Sequence, residues 1–324
     1  MFLRIFRSGY YTGVFMFLLI SALLWIPAFL QPPDVCFPSG LGLGSEFIRD
    51  NLQLPAIIAV IIAFVVLIVQ AVVLNFVLKG NPAFSKSLFL PAVIYMISMS
   101  HNPELLTLHP LLIANFFLIF SFKNLFNAYE KPQAFREAFN ASFWTSVASF
   151  FYYPAAFYIV FIWVSFFIFR INTWREWLIS IIGFCAPYFF LILFLFLSDQ
   201  LNIFESYYIQ GISWSGLTFN FGFHDYVLWP VFLLVLMVSL FKFVHERVDK
   251  VINIRKSFSV AIAFLIISGI MLLFNGFNAT LQEFLIFPAA AIIIGFYFIE
   301  SEKKFISELF FILLIVAVAV IKFL

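Results

Sequence analysis

NASFWTSVASFFYYPAAFYIVFIWVSFFIF, residues 140–169, is a run of thirty mostly apolar residues with Pro154 near its middle. How often it crosses a membrane decides the topology of the whole chain. A helix needs about 20 apolar residues to span roughly 30 Å of hydrocarbon. Read as one crossing, the stretch puts Arg170 and Arg175 on the face opposite Lys123, Lys131 and Arg136, and inverts every later basic cluster. Read as two crossings that turn at Pro154, it keeps all of them on one face, as the preference of Lys and Arg for the cytoplasmic side requires. Each leg is then about 14 residues, roughly 21 Å at 1.5 Å per residue. Such a pair must be shielded by neighbouring helices or form a re-entrant hairpin buried in protein.

Outward from this stretch the same pattern repeats. Sixteen of the 18 Lys and Arg residues fall into six clusters: Arg4/Arg7, Lys79/Lys86, Lys123/Lys131/Arg136, Arg170/Arg175, Lys242/Arg247/Lys250/Arg255/Lys256 and Lys303/Lys304. Between them lie apolar runs at 11–30, 55–78, 88–100, 110–122, 141–153, 155–169, 177–198, 228–244, 257–274, 283–299 and 305–323. The expected fold is an all-α polytopic transmembrane bundle of about eleven helices, N-terminus cytoplasmic and C-terminus outside, in one integral membrane domain over 1–324. Helix 1 reads as an uncleaved anchor, since no small-x-small cleavage site follows its long apolar core. The expected location is a bacterial cytoplasmic (inner) membrane.

Composition excludes the soluble classes. The chain is 64% apolar, 21% aromatic and only 10% charged, with a mean hydropathy of +1.08. A soluble domain carries about 25% charged residues. A net charge of +2 spread over loops gives no nucleic-acid partner. Cys36 and Cys185 form no CxxC or metal-ligand spacing. The fifty Phe residues supply lipid-facing and packing surface. No Walker A, dinucleotide, HExxH or GxSxG pattern occurs, and Gly40, Gly42 and Gly44 read as a flexible loop.

Eight acids fall on the outside: Asp34, Glu46, Asp50, Glu104, Asp199, Glu205, Asp225 and Glu283, joined by His101, His109 and His224 and one clustered-loop base, Arg49. Three segments could build a site from them. The first loop has Asp34 directly after helix 1, then Glu46 and Asp50, which share a face if 45–53 is helical. The second is the turn His101-Asn102-Pro103-Glu104, closing at His109-Pro110. The third is 199–227, with Asp199, Glu205, Tyr207, Tyr208, Trp214, His224 and Asp225. Carboxylates at a membrane cleft can act as general base or hold a divalent cation against a phosphate-bearing ligand. Solvated loop acids that merely follow topology are the plainer alternative. Gln70, Asn75 and Asn115 read as interhelical hydrogen-bond partners. Trp174-Arg175-Glu176-Trp177 reads as an interfacial anchor holding an ion pair, and 242–256 as a loop facing anionic headgroups.

This layout resembles the C-type membrane glycosyltransferases, which use polyprenyl-phosphate-linked sugars. The resemblance covers about residues 1–200; 201–324 add further transmembrane helices. It rests on Asp34 after helix 1, Glu104 in the second outside turn, and Phe143-Trp144-Thr145-Ser146-Val147-Ala148-Ser149 leading into the short hairpin at Pro154. It implies Asp34 and Glu104 as catalytic acids, with Glu46, Arg49, Asp50, His101 and His109 around the substrate and Arg49 on a lipid phosphate. The chain departs from that pattern in having no adjacent acidic pair in the first loop, and Phe151-Tyr152-Tyr153 where the hairpin usually carries Lys or Arg. It also resembles an uncharacterised Bacteroidota family of Phe-rich inner-membrane proteins, on Thr107-Leu108-His109-Pro110 and Trp174-Arg175-Glu176-Trp177. The implied partners are membrane lipid and a polyprenyl-linked donor. The rival expectations are a lipid or solute carrier (flippase), and a non-catalytic subunit of an envelope complex with a membrane-protein partner.

Overall fold

The computed structural model describes residues 10–35, 37–38, 40–51, 54–77, 89–129, 131, 133–171, 173–204, 223–246, 252–273, 282–301 and 304–323, and these residues are helical with no strand among them. The helices are α1 Tyr10–Leu30, α2 Leu43–Asn51, α3 Ala56–Val77, α4 Leu90–Met99, α5 Pro110–Ala128, α6 Phe135–Phe151, α7 Tyr158–Phe169, α8 Trp174–Leu197, α9 Phe223–Glu246, α10 Ile252–Leu273, α11 Phe287–Glu300 and α12 Lys304–Phe323. One-turn 3-10 segments stand at Pro103–Leu105 and Glu283–Leu285, and a longer one at Tyr153–Phe157. Among the described residues, six helices are long and apolar enough to cross a membrane: those over Tyr11–Leu30, Ala56–Val77, Pro110–Ala128, Trp174–Leu197, Tyr226–His245 and Ile252–Leu272. The protein is a multi-pass helical membrane protein.

The 140–169 stretch folds as two helices, the end of α6 and α7, with the break at Tyr152 and Pro154 second in the 3-10 turn that follows. Several helices overrun the apolar segments that announce them. α5 continues through Lys123 to Ala128, α6 begins at Phe135, α8 at Trp174 and α10 at Ile252. Long basic side chains explain this, because their stems lie on apolar surface while their heads reach out. Lys123 stands over the Phe120 ring and Lys256 over Tyr129.

Two of the short helices, α4 and α11, are enclosed by protein. All ten residues of α4 are buried, and so are Phe287 through Phe298 of α11. At about 15 Å for ten residues, α4 cannot span the hydrocarbon, and its ends need protein cover. α4 and α11 lie against each other, and a Cβ on Gly295 would meet Pro91 Cγ at 2.8 Å. α6 packs on α5 along one side and on α8 along the other. Between α6 and α8 the backbones nearly touch: a Cβ on Gly183 would stand 2.6 Å from the Phe139 carbonyl oxygen. Small residues at crossings are how membrane helices gain close van der Waals contact.

The phenylalanines divide between two jobs. Phe122, Phe161 and Phe264 form a mutually stacked and edge-on cluster that joins α5, α7 and α10. Phe189, Phe190, Phe194 and Phe196 of α8 are exposed, on a surface suited to lipid.

Candidate functional site

The first loop builds a groove. Gly40 takes φ 80°, a left-handed conformation that glycine reaches without a Cβ clash. The turn sends the Gly40 N–H to Glu46 Oε1 at 2.8 Å. Leu41 is buried, and its carbonyl accepts the Tyr153 N–H at 2.8 Å. Gly42 lies so close to the end of α6 that a Cβ would collide with the Phe150 carbonyl oxygen. The Gly40 to Gly44 segment, read as a flexible loop, is therefore a fitted joint that docks the loop on the α6–α7 turn. No phosphate-loop context is needed to explain its glycines.

The joint positions α2. Glu46 and Asp50 share a face there, as their spacing requires, and both hold Arg49. Arg49 Nη2 donates to Glu46 Oε2 at 3.0 Å, and Nε donates to Asp50 Oδ1 at 2.9 Å. The bond to Asp50, then the charge of Glu46, raises the Arg49 pKa above its ordinary value, so it stays charged. Beneath α2 a groove of about 780 Å³ opens between α2 and the ends of α6 and α8. Its floor is apolar, from Phe150, Phe151, Leu191 and Phe194, and its rim is polar, from Glu46, Asp50, Asn51 and Gln200. Asp34, exposed on the same loop, stands outside this lining. Glu104 belongs to the 3-10 turn Pro103–Leu105, and its side chain lies outside the described residues.

The second segment is more buried than its polar residues led the sequence reading to expect. Within 101–109, expected as an outside loop, His101, Asn102, Leu106, Thr107, Leu108 and His109 are buried, and so is the preceding Ser100. The cause is the length of α4, which turns back early. Gln70 stands fourteen residues along α3 from Ala56, about 21 Å. There its Nε2 donates to the Leu112 carbonyl in the first turn of α5, while Tyr95 donates to its Oε1. Trp25, five residues inside the end of α1, donates to Ser100 Oγ.

Within this turn lies a polar cluster that the sequence did not announce. His101 Nε2 is 2.7 Å from Glu283 Oε1, and Glu283 Oε2 accepts from Trp229 Nε1 at 2.8 Å. Glu283, grouped with the solvated outside acids, is buried here. His101 and His109 meet around Phe284, with ring centroids 5.6 and 5.0 Å away. His109 caps α5, its Nδ1 accepting the Leu112 N–H. Asn115 donates to the Phe284 carbonyl, so two of the three predicted amide partners, Gln70 and Asn115, do bridge elements. A buried acid 182 residues from its histidine leaves no spacing to read.

Of the third segment, residues 205–222 and the side chains of His224 and Asp225 lie outside the described residues. The ion pair expected at Arg175 and Glu176 does not form. Neighbours on a helix point apart; Arg175 is exposed, while Glu176 is buried with Oε2 lacking a hydrogen-bond partner. Among the described residues no three His, Cys, Asp or Glu side chains converge as a metal site. No protein-family model, curated protein or solved structure matches the chain.

Proposed function

We propose that the protein is a glycosyltransferase of a bacterial inner membrane, which takes a polyprenyl-phosphate-linked sugar at its outer face. The observation that supports this is the groove beneath α2, an apolar trough of about 780 Å³ with carboxylates and amides along its rim. An isoprenoid chain suits the phenylalanine and leucine floor, and carboxylate and amide groups suit sugar hydroxyls. Arg49 exchanges one of its two carboxylates for the lipid phosphate, a charge-assisted contact of the same kind. Asp34, solvent-exposed on the loop that carries α2, is the base that deprotonates the acceptor.

Native mass spectrometry of the purified protein is expected to show a bound isoprenoid lipid, lost in Leu191→Trp, which fills the groove. Asp34→Asn is expected to keep that lipid and lower transfer to the acceptor, or to water, by at least about 100-fold, the scale of general-base catalysis. Transfer by Asp34→Asn at the wild-type rate removes Asp34 from the chemistry. An empty groove with transfer intact removes the groove. The non-catalytic subunit is the outcome in which neither lipid nor transfer is found.

A further inference from the structure

The polar cluster around Glu283 carries an inference independent of the groove. His101 Nδ1 is 2.7 Å from the Ser98 carbonyl oxygen, which can only accept, so Nδ1 carries a hydrogen. His101 Nε2 and Glu283 Oε1 are also 2.7 Å apart. Without a hydrogen both are acceptors, and two acceptors at that distance repel. A proton therefore lies between them, whether drawn as imidazolium and carboxylate or as neutral imidazole and carboxylic acid. The side chains are 0% and 5% exposed, so water cannot screen the repulsion if that proton leaves.

The place of the pair gives the proton a mechanical role. His101 follows the end of α4, and Glu283 opens the turn before α11. At the far end of these two enclosed helices Gly295 meets Pro91, an apolar contact that does not titrate. Other elements present Trp229 from α9, the Phe284 and Phe287 rings, and Trp25 of α1 through Ser100. The titratable groups nearby are His109 against Phe284, Tyr152 beside Gln282, and Tyr158 bonded to Ser268, whose hydroxyl also reaches the Leu285 carbonyl.

We propose that His101 and Glu283 form a binding site for one exchangeable proton inside the bundle, and that its occupancy fastens the 100–109 turn onto the start of α11. The sign follows from the shared proton. The tie holds while the proton is bound and is lost as pH rises through the titration of the pair.

The test uses Thr107→Cys, since this buried hydroxyl has no hydrogen-bond partner to lose. Cys36 and Cys185 are replaced by Ser, and the full chain is held in lipid nanodiscs. Maleimide labelling of the introduced thiol is followed with pH in otherwise wild-type protein and in Glu283→Gln. The glutamine amide donates to a neutral His101 Nε2, so that variant stays fastened at every pH and cancels the thiol's own titration. The ratio of the two rates is expected to climb by up to about tenfold per pH unit, the slope of one-proton linkage. A ratio flat between about pH 5 and 10 overturns the proposal. If the Thr107→Cys variant does not fold, nitrogen-15 histidine spectra of the unaltered chain decide. A pH-dependent change of the His101 Nε2 resonance within that range, from loss of its proton or of its hydrogen bond to Glu283, supports the site if it is absent in Glu283→Gln, and an Nε2 resonance that does not move refutes it.

Discussion

His101→Ala is expected to leave little folded protein. The substitution strips Glu283 of its imidazole partner and opens a void beside the Phe284 and Phe287 rings that flank His101. Removing one member of a buried pair costs about 3–5 kcal/mol, because the remaining group keeps the Trp229 N–H but has neither water nor its imidazole partner. That is a large share of a stability that for most domains is about 5–15 kcal/mol. The measurement is the monodisperse fraction and thermal midpoint in detergent, beside the double variant His101→Ala/Glu283→Gln. The double variant leaves no unpaired charge and is expected to recover most of the loss. A single variant that melts with the wild type means the pair does not hold the two helices together.

Two glycines of similar setting are expected to respond with opposite sign. Gly183→Val pushes a side chain into the Phe139 backbone, where even a Cβ would stand 2.6 Å from the carbonyl oxygen. A backbone cannot rotate aside, so α6 and α8 must separate, and overpacking of this kind costs about 1–3 kcal/mol or more. Gly269 on α10 has nothing within 4 Å of its Cβ position. Gly269→Ala therefore gains the helical preference of alanine, about 0.8–1.0 kcal/mol, with no steric cost. Unfolding in SDS at fixed lipid ratio compares the two. Equal effects would show that the α6–α8 approach carries no special weight.

The helices were legible because hydrocarbon demands apolar length. The eleven apolar runs each correspond to a helix, and α2 was visible in the spacing of Glu46 and Asp50. The break at Pro154 could be argued from the fate of Arg170 and Arg175 before any contact was known. Depth was not legible. His101 to His109 contains His, Asn, Pro and Glu, which read as a loop at the surface, and only the packing of a ten-residue α4 shows that the turn is enclosed. The pairing of His101 with Glu283 is set by tertiary contact between α4 and α11, and a single sequence holds no trace of it. The groove was half visible. Its polar rim could be named from the first loop, whereas its floor comes from the ends of α6 and α8, two elements brought there by the joint at Gly42.

The enclosed pair of short helices also orders the protein's biogenesis. α4 ends at Met99 and α11 begins only at Phe287, so α4 leaves the ribosome long before its partner is made, and at ten residues it is too short to hold a place in lipid alone. Until α11 arrives, the flank later taken by Gly295 and Phe287 has no permanent cover, so the early helices must wait as a loose assembly. A late step of synthesis is then the insertion of α11 into a slot already lined by α4, α9 and α10. A chain truncated before residue 283 would be membrane-inserted and yet unfinished, a natural target for quality-control proteolysis.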